Sequence, residues 1–216
     1  MENFKLEKSE MIKYLKQIND ELKAAGDKGE ILISGGASMC LVHEARPSTK
    51  DIDALYEPKS RINEIAERIA KANNLDSGWI NDGVKGFLHP NMKSEVVYDF
   101  GNLKVSTVSA EALLAMKLMA LRSSTSDRDD AKFLIKKLNI TDGDTLLKIM
   151  SENTYKEKLS VMNQYLALDV LSEVNAEREK QRPGLQDKLN EIRSDDKPIA
   201  ENNKINDIKK QRGEER

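Results

Sequence analysis

Ile33-Ser34-Gly35-Gly36, fourteen further residues, then Asp51-Ile52-Asp53: the order of these two clusters decides the fold and points to the chemistry. Residues 30–34 form a short, nearly all-apolar run, the pattern of a buried strand. The run ends in Gly35-Gly36, and Ala37-Ser38-Met39-Cys40-Leu41-Val42 then reads as helix until Pro47 closes the unit. Residues 50–55 alternate and read as a second strand. Glycines between a strand and a helix let a phosphate approach the backbone, where N–H groups at a helix start attract its charge. Asp51 and Asp53, two apart on a strand, point to one face. Like charges so close need a counter-charge, and hard carboxylate oxygens suit a divalent cation, Mg²⁺ or Mn²⁺. A metal pair about 3.5–4 Å apart would clamp the attacking and leaving oxygens of a phosphoryl transfer. Gly-Gly alone is commonly just a turn, and Asp-x-Asp alone is common in solvated loops. Their conjunction in strand–turn–helix–strand order is far more specific.

Working outward, Met11, Leu15, Ile18 and Leu22 recur at helical spacing before Gly26, predicting a helix over 8–25. Pro58 opens another, with Ile62, Ile65, Ala66 and Ile69 on one stripe. Residues 76–93 hold Gly78, Gly83, Gly86 and Pro90 and read mostly as loop. Strands follow over 94–100 and 103–108 around a Gly101-Asn102 turn. Ser109 can cap a helix through 118, a further helix starts near Ser126, and two more cover 142–151 and 156–174. The order predicts a small α/β (α+β) mixed-sheet core over 1–108, a helical part over 109–174 and a charged tail over 175–216. Residues 173–216 carry 11 acids and 11 bases, no aromatic residue and only 9 apolar residues in 44. A segment so polar buries too little surface to fold alone and is expected to be flexible or to use a partner.

The set Ser34-Gly35-Gly36-Ala37-Ser38-Met39 and Thr49-Lys50-Asp51-Ile52-Asp53 resembles the signature of the nucleotidyltransferase (polymerase β-like) superfamily, and within it the AbiEii-type toxin branch. Residues 114–122, around Lys117, resemble that branch's Lys-containing helix; Ser126-Asp127-Arg128-Asp129-Asp130 resembles its paired-Asp motif. Residues 79–87 are similar to a stretch in uncharacterised members. Together these span about 30–140. The resemblance implies transfer of a nucleoside monophosphate from an NTP with release of pyrophosphate. In characterised relatives the acceptor can be tRNA, and some members are toxins held by a cognate antitoxin. By position, Asp51 and Asp53 would bind Mg²⁺; Ser34, Gly35, Gly36 and Lys50 would hold the nucleotide; Lys117 would neutralise phosphate; Asp127 or Asp130 would complete the site. Many members carry a third acid on a later strand, for which Asp99 and Glu95 are the candidates. Neither sits in an apolar-acid-apolar setting. A degenerate nucleotidyltransferase-like binding module acting through the charged tail is therefore the alternative.

Each site residue also has a plainer reading. Lys117 can be the exposed edge of a core helix, and Asp127, Asp129 and Asp130 can be helix-start acids. Asp127 and Asp130, at i and i+3, share a face; Asp129 does not. Arg46 and Lys50 can meet phosphates or solvent. His43 and His89 have no metal-ligand spacing, Cys40 reads as a small buried hydrophobe, and Trp79 and Phe87 read as core before base-stacking residues. Lys136, Lys137, Lys156 and Lys158 are solvated faces or part of an RNA-facing patch. The charge balance of 35 basic to 37 acidic residues gives no global field for nucleic acid. Without an apolar run of about 18 residues, a signal-peptide pattern or more than one cysteine, a soluble cytoplasmic protein without membrane contact or disulfides is expected.

Overall fold

The computed structural model describes residues 5–121, 126–181 and 184. The chain divides into two compact units, Met1–Asn175 and Ala176–Arg216. In the second, residues 176–181 are helical; the rest of the tail expected to be flexible lies outside the described residues, apart from Gly184.

In the first unit the elements run β1 (Leu6–Glu7), α1 (Lys8–Ala25), β2 (Gly29–Ile33), α2 (Gly35–Leu41), β3 (Ser48–Thr49), β4 (Ile52–Glu57), α3 (Lys59–Asn73) and β5 (Ile80–Asn81). A 3₁₀ turn (Gly83–Gly86), β6 (Ser94–Asp99), β7 (Leu103–Val108), α4 (Ala110–Met119), α5 (Ser126–Lys137) and α6 (Gly143–Glu152) follow. A second 3₁₀ turn (Lys156–Lys158) leads into α7 (Val161–Gln181). Gly26 ends α1 where the spacing predicts, at φ +73°, its N–H on the carbonyls of Leu22 and Lys23. Ser109 caps α4, its Oγ accepting from the Ala112 N–H.

Among the described residues, five strands form one sheet in the order β5-β4-β2-β7-β6. β2 is central, antiparallel to β4 and parallel to β7. Strand alternation gives each neighbour one apolar face: Ile31 and Ile33, Ile52 and Ala54, Leu103 and Val105 are all buried. That face joins Met11, Leu15, Ile18 and Leu22 of α1 and Ile62, Ile65 and Ile69 of α3 in one core. Each such fully buried side chain contributes about 2 kcal/mol. On the other face Leu32, Leu55 and Ser106 are only partly covered. A second core packs Leu113, Leu114 and Leu118 of α4 with residues of α5, α6 and α7. The mixed α/β reading with a helical C-terminal part therefore holds, and no helix among the described residues is long and apolar enough to cross a membrane.

Three expectations need correction. The 76–93 segment is not simply loop: Ile80-Asn81 adds a parallel edge strand to Ile52-Asp53, and a 3₁₀ turn follows. Two-residue strands carry too little periodicity to be seen in sequence. The second strand starts at Ile52 rather than residue 50, so Asp51 sits just before it. The last helix begins at Val161, because residues 156–158 close a separate 3₁₀ turn.

Candidate active site

The site is built where β2 ends. Ser34, fully buried, anchors the turn to β4: its N–H donates to the Asp53 carbonyl at 2.9 Å and its Oγ to the same oxygen at 3.4 Å. Gly35 follows at φ +59°, a left-handed conformation that side-chain-bearing residues adopt at a cost. A Cβ on Gly35 would stand 2.8 Å from Asp53 Oδ2, and one on Gly36 2.4 Å from Thr49 Oγ1 and 3.4 Å from an Arg46 guanidinium nitrogen. Gly35 is thus what lets the Asp53 carboxylate lie against the backbone, while Gly36 leaves room for Thr49 and Arg46. Below the turn, Ser38 and Thr107 share a buried hydroxyl contact of 2.6 Å, tying α2 to β7.

Asp53 lies in the neighbouring strand, and Asp51 sits just before it. The Asn81 amide of β5 donates to Asp51 Oδ2 at 3.3 Å. Burial, and then the Asp51 charge, push the Asp53 carboxyl above the usual range; an Asn81 hydrogen bond and the more distant Lys117 charge pull the other way. A half-buried carboxylate repelled by its neighbour is a donor set that a divalent cation relieves. Among the described residues no three His, Cys, Asp or Glu side chains cluster to hold a metal. Magnesium accepts such a site, since it commonly takes one or two carboxylates and completes its shell with phosphate oxygens and water.

Neither candidate third acid joins the pair. Asp99 caps the β6–β7 turn, its Oδ1 accepting from the Gly101 N–H at 2.9 Å, level with Lys104 and Glu30 at the opposite end of the sheet. Glu95 lies level with Thr107 on the edge strand, with two strands between it and β4, a lateral offset of about 14 Å.

From the helical part, Lys117 reaches in from α4. It is buried, not the exposed edge of a helix, and its Nζ meets Asp127 Oδ1 at 2.7 Å and Asp130 Oδ2 at 2.9 Å. Asp130 is also ion-paired with Arg46, from the loop after α2. The i, i+3 pair of α5 thus grips one lysine, while Asp129 is exposed. A shallow cleft of about 250 Å³ is lined by Gly35, Asp53, Lys117 and Asp127 together with Val84, Phe87 and Met116. Carboxylate, lysine and glycine turn thus share one opening with an apolar wall.

Several residues fall elsewhere. Lys50 is exposed beside Asp51. Cys40 is buried, as its apolar setting predicts. Trp79 belongs to the core, edge-on to Tyr14 with its indole N–H on the Ala66 carbonyl. Phe87 does not: it is 55% exposed at the cleft. The sequence reading gave Asn81 and Thr49 no role and did not connect Arg46 to Asp130. Asn81 was visible only inside the similar 79–87 stretch, and the Arg46–Asp130 pair spans 84 positions, beyond any local pattern.

A mixed sheet carries a Gly-Gly turn against an Asp-x-Asp pair, with a buried lysine opposite, the arrangement on which the resemblance to nucleotidyltransferases rests. Residues 10–176 match the family DUF6036, described as a nucleotidyltransferase of unknown function, and the chain belongs to that family. The match supports the superfamily and its transfer of phosphorus-containing groups from an NTP, without selecting the AbiEii-type branch. No curated protein and no solved structure matches the chain.

Proposed function

We propose that this protein transfers a nucleoside monophosphate from an NTP to a hydroxyl of an RNA acceptor, tRNA in the first instance. The contact between Gly35 and the Asp53 carboxylate, in one cleft with Lys117, carries the reading. In it the Gly35-Gly36 turn seats the triphosphate, and Lys117 offsets its charge as a point cation. Asp127 and Asp130 hold Lys117 in place, and Val84, Phe87 and Met116 offer the base an apolar wall. Asp51 and Asp53 are the residues that would hold Mg²⁺, or Mn²⁺ in its place. A bound ion would supply charge neutralisation at the reacting phosphate and leaving group. The acceptor oxygen bonds the α-phosphorus as the α–β bridging bond breaks. Pyrophosphate departs, and the hydroxyl proton passes to a carboxylate of the pair or to water.

The resemblance of residues 34–53 and 114–130 to the AbiEii-type branch adds a biological reading, a toxin that blocks tRNA and is restrained by a cognate antitoxin. Growth arrest on expression, relieved by Asp53→Ala, is the outcome this reading requires.

The biochemical test incubates purified protein with Mg²⁺, each α-³²P-labelled NTP in turn and total tRNA. Label should enter RNA with the wild type and stay out with Asp53→Ala, whose circular dichroism and melting should remain those of a folded protein. Label on RNA with the folded variant would sink the mechanism. Label on the protein would replace the acceptor, and nucleotide binding without transfer would favour a binding module.

A further inference from the structure

A cavity of about 720 Å³, larger than the cleft holding Asp53, lies apart from it. It lies between the segment after the first 3₁₀ turn, the start of α4 and the end of α6, and His89, Asn91, Glu111 and Tyr155 are among its lining residues. His89 and Tyr155 meet edge to face, ring centroids 4.8 Å apart, so one wall is aromatic. The charged side chains of the lining are Lys93 and Lys156 against Glu111, Glu152 and Glu157, two positive to three negative. Such a lining repels a triphosphate. It suits a planar, polar and nearly uncharged group with hydroxyls and amides to satisfy: a nucleoside.

The two openings share a wall. Gly83, Val84 and Phe87 line the catalytic cleft; His89, Asn91 and Lys93, just beyond them, line the second. α4 does the same, with Glu111 at one cavity and Lys117 at the other, about 9 Å apart along the helix axis. Adjacent nucleotides of one strand can bridge that span. At the seam stands Lys158. Its Nζ donates to the Gly86 carbonyl at 2.5 Å and lies 5.9 Å from the centre of the Phe87 ring and 5.3 Å from that of Tyr155. A cation between two nucleoside-sized openings is where a connecting phosphodiester would rest.

From this juxtaposition we infer that the His89–Tyr155 cavity binds the nucleoside next to the reacting end of a single-stranded RNA acceptor, with Lys158 on the phosphate that joins the two. This rests on the proposed reaction, since it names how that reaction's acceptor is held. Affinity comes from stacking against the aromatic wall, a sequence-tolerant contact.

The experiment measures binding of a 5′-fluorescein-labelled single-stranded oligoribonucleotide to the full-length protein by anisotropy, beside NTP affinity by calorimetry in the presence of Mg²⁺. Tyr155→Ala should weaken oligonucleotide binding by roughly five- to hundred-fold, the loss of one base stack. Tyr155→Phe should bind as the wild type does. Lys158→Met should weaken binding and flatten its salt dependence. All three should keep NTP affinity, which also shows that they fold. Equal oligonucleotide binding by wild type and Tyr155→Ala, or no binding by the wild type, overturns the site. Failure of the reaction would look different: a wild type that binds the oligonucleotide through Tyr155 and binds NTP but moves no label.

Discussion

Gly35 carries the sharpest local constraint. It is left-handed at φ +59°, and its missing side chain is the space in which Asp53 Oδ2 stands. Gly35→Ala brings two penalties together: about 1–2 kcal/mol for the backbone conformation, and a methyl 2.8 Å from a carboxylate oxygen that must shift to admit it. The expected outcome is a folded protein, destabilised by about 2 kcal/mol in urea, with nucleotidyl transfer lost. A variant that is destabilised yet fully active would show that the carboxylate has room. The two glycines and two aspartates were legible because glycine and acid identity is chemistry that survives without coordinates. What sequence could not give is the contact itself. Gly-Gly after a strand says that the backbone is approached, not that Asp53 approaches it.

At the scale of elements, α4 and α5 are locked through charge. Lys117, nine-tenths buried, meets two carboxylates of α5, and Asp130 additionally pairs with Arg46. Removing one member of such a buried set strands its partners, so Asp130→Ala should cost about 3 kcal/mol. Combining Lys117→Met with Asp130→Leu should destabilise less than the two single changes summed, with a coupling of about 1 kcal/mol or more in denaturant melts. Strict additivity would deny the lock. The helices themselves were readable, because α1 and α3 each present an apolar stripe and α4 has a capping serine. The strand made of Ile80-Asn81 was not, since two residues define no period. Lys117 illustrates the limit from the other side. In an apolar run a lysine reads as the edge of a helix, and only the arrival of α5 shows why it can be buried.

Over the whole compact unit, the helical part is pinned to itself by ionic contacts between α5 and α7. Arg128 of α5 pairs with Glu173 and, at 2.5 Å, with Asp169, both on α7; Lys132 meets Glu173 at 2.6 Å. Hydrogen bonds from Arg128 and then Lys132 hold the Glu173 carboxyl down to about 2, against an ordinary 4.5. A depressed carboxylate contributes its stability above the unfolded value and loses it as pH falls through the folded one. Wild type should therefore melt above Glu173→Gln at pH 6, with the gap closing between pH 4.5 and about 2. A gap that persists unchanged at pH 2 would mean that the charge is not its source. The division into sheet core and helical part was readable from the order of elements, whereas the α5–α7 clamp, 45 positions apart in sequence, was not.

The position of β2 at the centre of the sheet has a consequence for timing as the chain is made. Its partner β4 begins 19 residues after β2 ends, so the hairpin-like half carrying Gly35 and Asp53 can close early. Its other flank waits for β7, which begins at residue 103, and Lys117 and its α5 partners come later still. During synthesis from the N-terminus, the carboxylate pair therefore exists for a time beside an unfilled strand edge and without its buried cation. The cleft is closed only once α5 has emerged, well after the glycine turn and the carboxylates that open it.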